Sequence, residues 1–108
     1  MKSGLDYHRA TGAAAIAETL APGVAWQLEG ISVHLSAAGG AGDLTATVDH
    51  SVGSAYDLVV LTQDMTSTTD YIWHLERPLE FDADTELDIA WANAGAKTYG
   101  LEIIWKAI

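Results

Sequence analysis

Cysteine is absent from this 108-residue chain. Disulfides, thiolate metal sites and cysteine nucleophiles are thereby excluded, and stability has to come from packing and backbone pairing. Basic side chains are scarce: five Lys and Arg stand against fifteen carboxylates, a formal net charge of −10. An exterior of that sign repels phosphate backbones and anionic lipids, so neither a nucleic acid nor a membrane is expected as a partner. No apolar run approaches the ~20 residues that a spanning helix needs. The small apolar stretch Ala13 to Ala17 is stopped by Glu18 and is too short for a secretion signal, which reads as a protein made in the cytoplasm. No fixed-period repeat is present, so a solenoid or propeller is not expected.

What the chain does have is alternation. Hydrophobic residues make up 49% of it, enough for one modest core in a single domain. In "WQLEGISVHLSA", Trp26 and Leu28 share one face, and Ile31, Val33 and Leu35 share one of opposite parity. The switch falls at Glu29-Gly30, where a glycine reads as a β-bulge. "DLTATVDH" sets Leu44, Ala46 and Val48 inward and Thr45, Thr47 and Asp49 outward. "YDLVVLTQD" is apolar on both faces from Leu58 to Leu61 and reads as a central strand covered on both sides. Pro78, between "DYIWHL" and "PLEF", marks an edge or a break, because proline cannot donate to a ladder. In "ELDIAWAN", Leu87, Ile89 and Trp91 point one way. "NAGAK" is a turn in which Asn93 and Gly95 can take positive φ. Tyr99, Leu101, Ile103 and Trp105 then share the last inward face.

These segments amount to about seven or eight strands separated by turn signals, the signature of an all-β, antiparallel sandwich or barrel. The long connections suit a jelly-roll order as well as an immunoglobulin-like one, and a jelly-roll-like β-sandwich is expected. Residues 21–108 form that sandwich. Residues 1–20 are expected to be an extended N-terminal arm with a possible first strand. Ala13 to Leu20 has helical character, but "LAPG" ends it early and its surroundings are all strand, so a strand is favoured. The polar segment "TQDMTSTTD" reads as a connecting loop, since Ser, Thr and Asp form turns through their own side chains.

Chemical motifs are weak. Asp82 and Asp84 in "FDADTELD" are spaced as in calcium loops, but the remaining ligand positions do not follow; they are the only metal candidates, and weak ones. His8, His34, His50 and His74 are scattered without zinc spacing. Ser51, His50 and Asp49, or Ser67 with His74, could be combined on paper into a triad, yet none sits in a nucleophile elbow, and neighbours on a strand face opposite ways. No catalytic residue and no cofactor is therefore expected. Trp91 and Trp105 are in phase with the core. Tyr71 and Trp73 share a face that, if outward, is a subunit contact or a ligand platform.

Three stretches, "GVAWQLEGISVHLSAAGGAGDLTATVD", "YDLVVLTQDM" and "ELDIAWANAGAKTYGLEIIWK", together resemble small β-sandwich or jelly-roll virion proteins of tailed bacteriophages, of the head decoration or cement type. The resemblance spans about Gly23 to Lys106 and rests on overall style and a few phrases. It implies a non-enzymatic structural protein on the outer surface of the head. The major capsid protein or other virion proteins would be its partners, and it would form a homo-oligomer, a trimer being favoured. The arm is then the expected contact, because it holds Lys2 and Arg9, two of only five basic residues; Tyr7, Ile16 and Leu20 complete the expected contact set. The alternatives are a carbohydrate-binding module, using Tyr71, Trp73 and the Thr62–Asp70 loop, and a neck or tail accessory subunit.

Overall fold

A computed structural model describes residues 4–108. Lys2 lies outside them. Eight strands run in chain order: β1 (Asp6–Gly12), β2 (Ile16–Leu20), β3 (Trp26–Leu35), β4 (Asp43–Asp49), β5 (Leu58–Asp64), β6 (Asp70–Phe81), β7 (Glu86–Trp91) and β8 (Tyr99–Ala107). They form two four-stranded sheets, ordered β1-β8-β3-β6 and β2-β7-β4-β5, with every neighbouring pair antiparallel. All connections but β4–β5 cross from one sheet to the other. This is the jelly-roll order expected from the strand count. No helix among the described residues is long and apolar enough to cross a membrane.

The alternation does what the sequence implies. Leu28, Ile31, Val33, Leu101 and Ile103 from one sheet meet Ile16, Leu44, Val48, Leu87 and Ile89 from the other, all at most 3% exposed. Two tryptophans close the two ends of this core. Trp26 lies under Phe81, with ring centroids 4.8 Å apart, and edge-on to Trp105 at 6.5 Å. Its indole N–H donates to the Thr85 carbonyl at 3.1 Å, which meets the requirement that a buried donor find an acceptor. At the far end the Trp91 indole donates to the Ala41 carbonyl at 3.0 Å.

The parity switch in β3 is a bulge. The register slips between Leu28 and Gly30 against both β6 and β8. A side chain at Gly30 would meet the Trp73 carbonyl at 2.8 Å, so the close approach of β6 demands glycine there. On the β6 side, residues 75–78 are accommodated opposite Glu29 alone, and Pro78 falls in that excursion on an edge strand.

Four expectations are corrected. Residues 6–20 are not an arm: β1 pairs with β8 along its whole length and β2 pairs with β7. The strand reading of 16–20 is therefore right and the loose-arm reading of 6–12 is not, because backbone pairing recruits a segment whose side chains alone carry no apolar period. Second, β5 is an edge strand, with Leu58 60% and Val59 53% exposed, so its two-faced apolarity is surface rather than centre. Third, the turn before β8 takes positive φ at Asn93 (48°) and Ala96 (51°), not at Gly95. Asn93 suits that position because its side chain accepts the Lys97 N–H and donates to the carbonyls of Ala14 and Lys97. Fourth, Tyr71 and Trp73 face inward and pack against the core, whereas Ile72 between them is 66% exposed.

Candidate functional site

Two surfaces carry chemistry. The first is the Trp26 end, where the β2–β3, β4–β5 and β6–β7 connections and the C-terminus gather. Of the nine large hydrophobics exposed among the described residues, six lie there: Leu5, Val24, Val52, Tyr56, Leu58 and Ile108. The other three, Tyr7, Val59 and Ile72, sit on strands, and the loops at the Trp91 end hold none. Scattered surface apolars are ordinary, and their concentration at one end makes that end a candidate binding surface.

The loop that presents them is braced. The Ser51 hydroxyl donates to Asp82, and the Ser51 N–H donates to Thr85 Oγ1 at 3.2 Å. The N–H of His50 donates to Asp57 at 2.9 Å, that of Val52 to His50 Nδ1 at 3.2 Å. Tyr56 packs its ring near His50, with centroids 5.7 Å apart. Thr85, fully buried, serves the loop and the core together: its carbonyl takes the Trp26 indole and its hydroxyl donates to Asp82 at 2.8 Å. Val52 and Tyr56 are thus held on a fixed frame, which lowers the entropy lost when a partner covers them.

These bonds also engage the groups considered for a metal site and for a triad. Asp82 accepts from Ser51, Thr85 and the Asp84 N–H, and the hydroxyls of Ser51 and then Thr85 hold its carboxyl below the usual carboxylate range. Its oxygens serve a turn, and Asp84 contributes its backbone to that turn. Among the described residues no group of three or more His, Asp or Glu side chains gathers to hold a metal. Ser51 donates to Asp82 and not to His50, whose Nδ1 is taken by the Val52 N–H.

The second surface is the outer face of the β1-β8-β3-β6 sheet. Cross-strand register lines up Arg9, Glu102 and Ser32 in one row, and Thr11, Gly100 and His34 in the next. Arg9 Nε donates to Glu102 Oε2 at 2.6 Å, and the Arg9 guanidinium lies 4.8 Å from the Tyr7 ring centre. His34 pairs with Asp70 on β6. Over Gly100 and Ser32 the sheet carries a shallow depression of about 490 Å³.

Of the expected contact residues, Tyr7 and Arg9 are exposed on this face. Ile16 and Leu20 are 2% and 4% exposed and belong to the chain's own core, so they are not free to reach a partner. Sequence reasoning missed the Trp26 end because its residues come from four separate segments. The one local signal was "SVGSAYD", a turn that carries Val52 and Tyr56.

Within Thr62 to Asp70, the first three residues finish β5 and Asp70 begins β6, and residues 65–69 form a braced turn between them. Asp64 accepts from Thr66 Oγ1 at 2.7 Å and Thr66 N at 2.9 Å, which keeps its carboxyl below the usual range. Met65 is fully buried. Gly39 and Gly40 donate their N–H groups to Thr68 and Thr66 carbonyls. The connecting-loop expectation holds for residues 65–69, while Thr62 to Asp64 and Asp70 are strand.

The chain matches no protein-family model, and comparisons with characterised proteins and with solved structures find no match.

Proposed function

We propose that this chain is a structural accessory protein of a tailed-phage head, binding the outer capsid surface as a decoration or cement protein that stabilises the shell. The observation that carries the reading is the concentration of exposed apolar side chains at the Trp26 end, on a hydrogen-bonded loop frame and beside the exposed carboxylates of Asp57, Asp82 and Asp84. Burial of Val52, Tyr56, Leu58 and Ile108 against neighbouring shell subunits would supply the apolar part of the contact. The net charge of −10 would favour basic partner surfaces. A shell repeats its sites, so a modest contact per copy adds to a large total.

The arm is given up as the main contact, since residues 6–20 are spent on β1 and β2. The reading includes a homotrimer as its oligomer. Its test is to mix the purified protein with particles stripped of accessories and image them. Saturable occupancy at regular lattice points is expected, and no association with such particles overturns the reading. Copy number separates a decoration protein, on every lattice site, from a neck or tail subunit, present once per ring. Mass in solution tests the trimer.

A further inference from the structure

Glycine inside a strand weakens it, because it has more freedom to lose and no side chain to pack. Eight of the ten glycines have a visible reason to be glycine, a positive φ or a backbone or aromatic side-chain atom within 3.4 Å of where a Cβ would sit, and at Gly95 only the flexible end of Lys97 comes that close. Gly100 has neither. It lies on β8 between Thr11 of β1 and His34 of β3, where a β-branched residue would suit the fold better. A Cβ at this position would project from the outer face into the depression over Ser32. The fold does not require this glycine, but an open floor does.

Around that floor the groups are polar and only partly engaged. Arg9 gives Nε to Glu102, and its terminal nitrogens have no acceptor among the described residues. Glu102 has its second oxygen left. The Thr11 hydroxyl donates to the Tyr99 carbonyl at 2.7 Å and keeps its lone pairs. Ser32 adds a hydroxyl that can donate or accept. Ala10 and Leu101, whose side chains turn inward, also line the depression, and most of the surface it exposes is carbon. That carbon surface can meet the C–H face of a ring, but it is shallow and offers a wholly apolar ligand no recess to fill. An anion is opposed by the net charge and by Glu102, which already neutralises Arg9.

We propose that the depression over Gly100 is a binding site for one unit of a neutral saccharide. A guanidinium and a carboxylate fixed side by side can donate to one hydroxyl and accept from its neighbour, the pattern a vicinal diol presents. Ser32 and Thr11 meet further hydroxyls, and the bare backbone at Gly100 accepts the flat C–H face of the ring. The volume of about 490 Å³ falls within the ~300–1,000 Å³ of small-ligand sites. The site is shallow, and few atoms are desolvated, so Kd is expected on the order of 1–10 mM for a single unit.

The test needs no virus particle and is independent of the capsid reading. Isotope-labelled full-length protein is titrated, with backbone amide shifts followed by NMR, against glucose, galactose, mannose, N-acetylglucosamine and their common neutral disaccharides, with inorganic phosphate as the anionic comparison. Saturable shifts at Thr11, Ser32, Gly100 and Glu102 with at least one sugar are expected. Arg9→Ala and Glu102→Gln should each weaken that sugar about tenfold. Gly100→Val should abolish binding with Tm unchanged or raised, and Gly100→Ser, which adds less bulk, should weaken it. No saturable shift with any sugar, saturation by phosphate instead, or undiminished binding in Gly100→Val would overturn the proposal.

Discussion

His8 Nε2 lies 3.0 Å from Glu18 Oε1 and donates to it across the gap between the two sheets. His8 is on β1 opposite Ile103, Glu18 on β2 opposite Ile89, so both point inward from edge strands. An inward-pointing carboxylate, here hydrogen-bonded by a histidine, is one way a sheet edge avoids pairing with another chain. The other margin of the sandwich, β5 with β6, carries exposed Leu58, Val59 and Ile72 instead. The pair is about 30% exposed on each side, so its coupling should be small, about 0.2–1 kcal/mol in a double-mutant cycle of His8→Ala with Glu18→Ala read by urea unfolding. A coupling of zero would mean that it shields the margin without stabilising the fold.

Gly30→Ala should be costly out of proportion to one methyl group. The new Cβ would sit 2.8 Å from the Trp73 carbonyl oxygen, a backbone atom that cannot swing aside. Relief requires β6 to move away from the β3 bulge. The expected loss is about 1–3 kcal/mol by chemical denaturation, the usual range for overpacking. Gly23→Ala, with no neighbour within 4 Å but φ of +75°, separates the strain of the backbone from the clash.

The inward faces were legible in the sequence because a dry interior admits one kind of residue at every second position. The stretch from Trp26 to Val48 shows this even through the bulge, where Gly30 announced the change of parity. Legibility failed where two causes leave one pattern. Leu58 to Leu61 is apolar on both faces, which suits a covered central strand and an uncovered edge equally. Tyr71 and Trp73 were correctly placed on a common face, but alternation does not say which face is inward when Ile72 is as apolar as they are. In β1 the residues sharing the inward phase are Asp6, His8 and Ala10, so no hydrophobic period existed to be read. The depression over Gly100 depends on register between three strands distant in sequence. Only the glycine itself was visible beforehand.

Asp82 and Asp64 should set part of the acid limit of the fold. Hydroxyl and backbone N–H donors hold both carboxyls below the usual range in the folded state, with Ser51 the main donor to Asp82 and Thr66 to Asp64. A folded pKa below the unfolded one stabilises the fold above the unfolded pKa, and that stability is lost as pH falls through the folded pKa. Asp82→Asn should therefore lower the urea midpoint at pH 7, and the gap to the unsubstituted protein should narrow below about pH 4. Asp64→Asn should behave alike. A gap that stays constant from pH 7 to pH 2.5 would place the effect in packing rather than in charge.

The apolar Trp26 end makes the sharpest prediction for the capsid reading. Val52 is 66% and Tyr56 61% exposed, and the loop that carries them is hydrogen-bonded through Ser51, Asp57 and Thr85, the Tyr56 ring adding only its contact with His50. Replacing either should leave stability within about 0.5 kcal/mol, as for ordinary surface positions. Val52→Asp and Tyr56→Asp should nonetheless each weaken binding to stripped particles about tenfold or more, because a desolvated carboxylate would be added to an apolar contact. Ala37→Asp, in the exposed β3–β4 connection at the opposite pole, adds the same charge to the same protein. Co-sedimentation with stripped heads compares the three. Weakening by Val52→Asp and Tyr56→Asp alone assigns the contact to the Trp26 end. Equal weakening by all three would reduce the effect to overall charge and remove this pole as the binding surface.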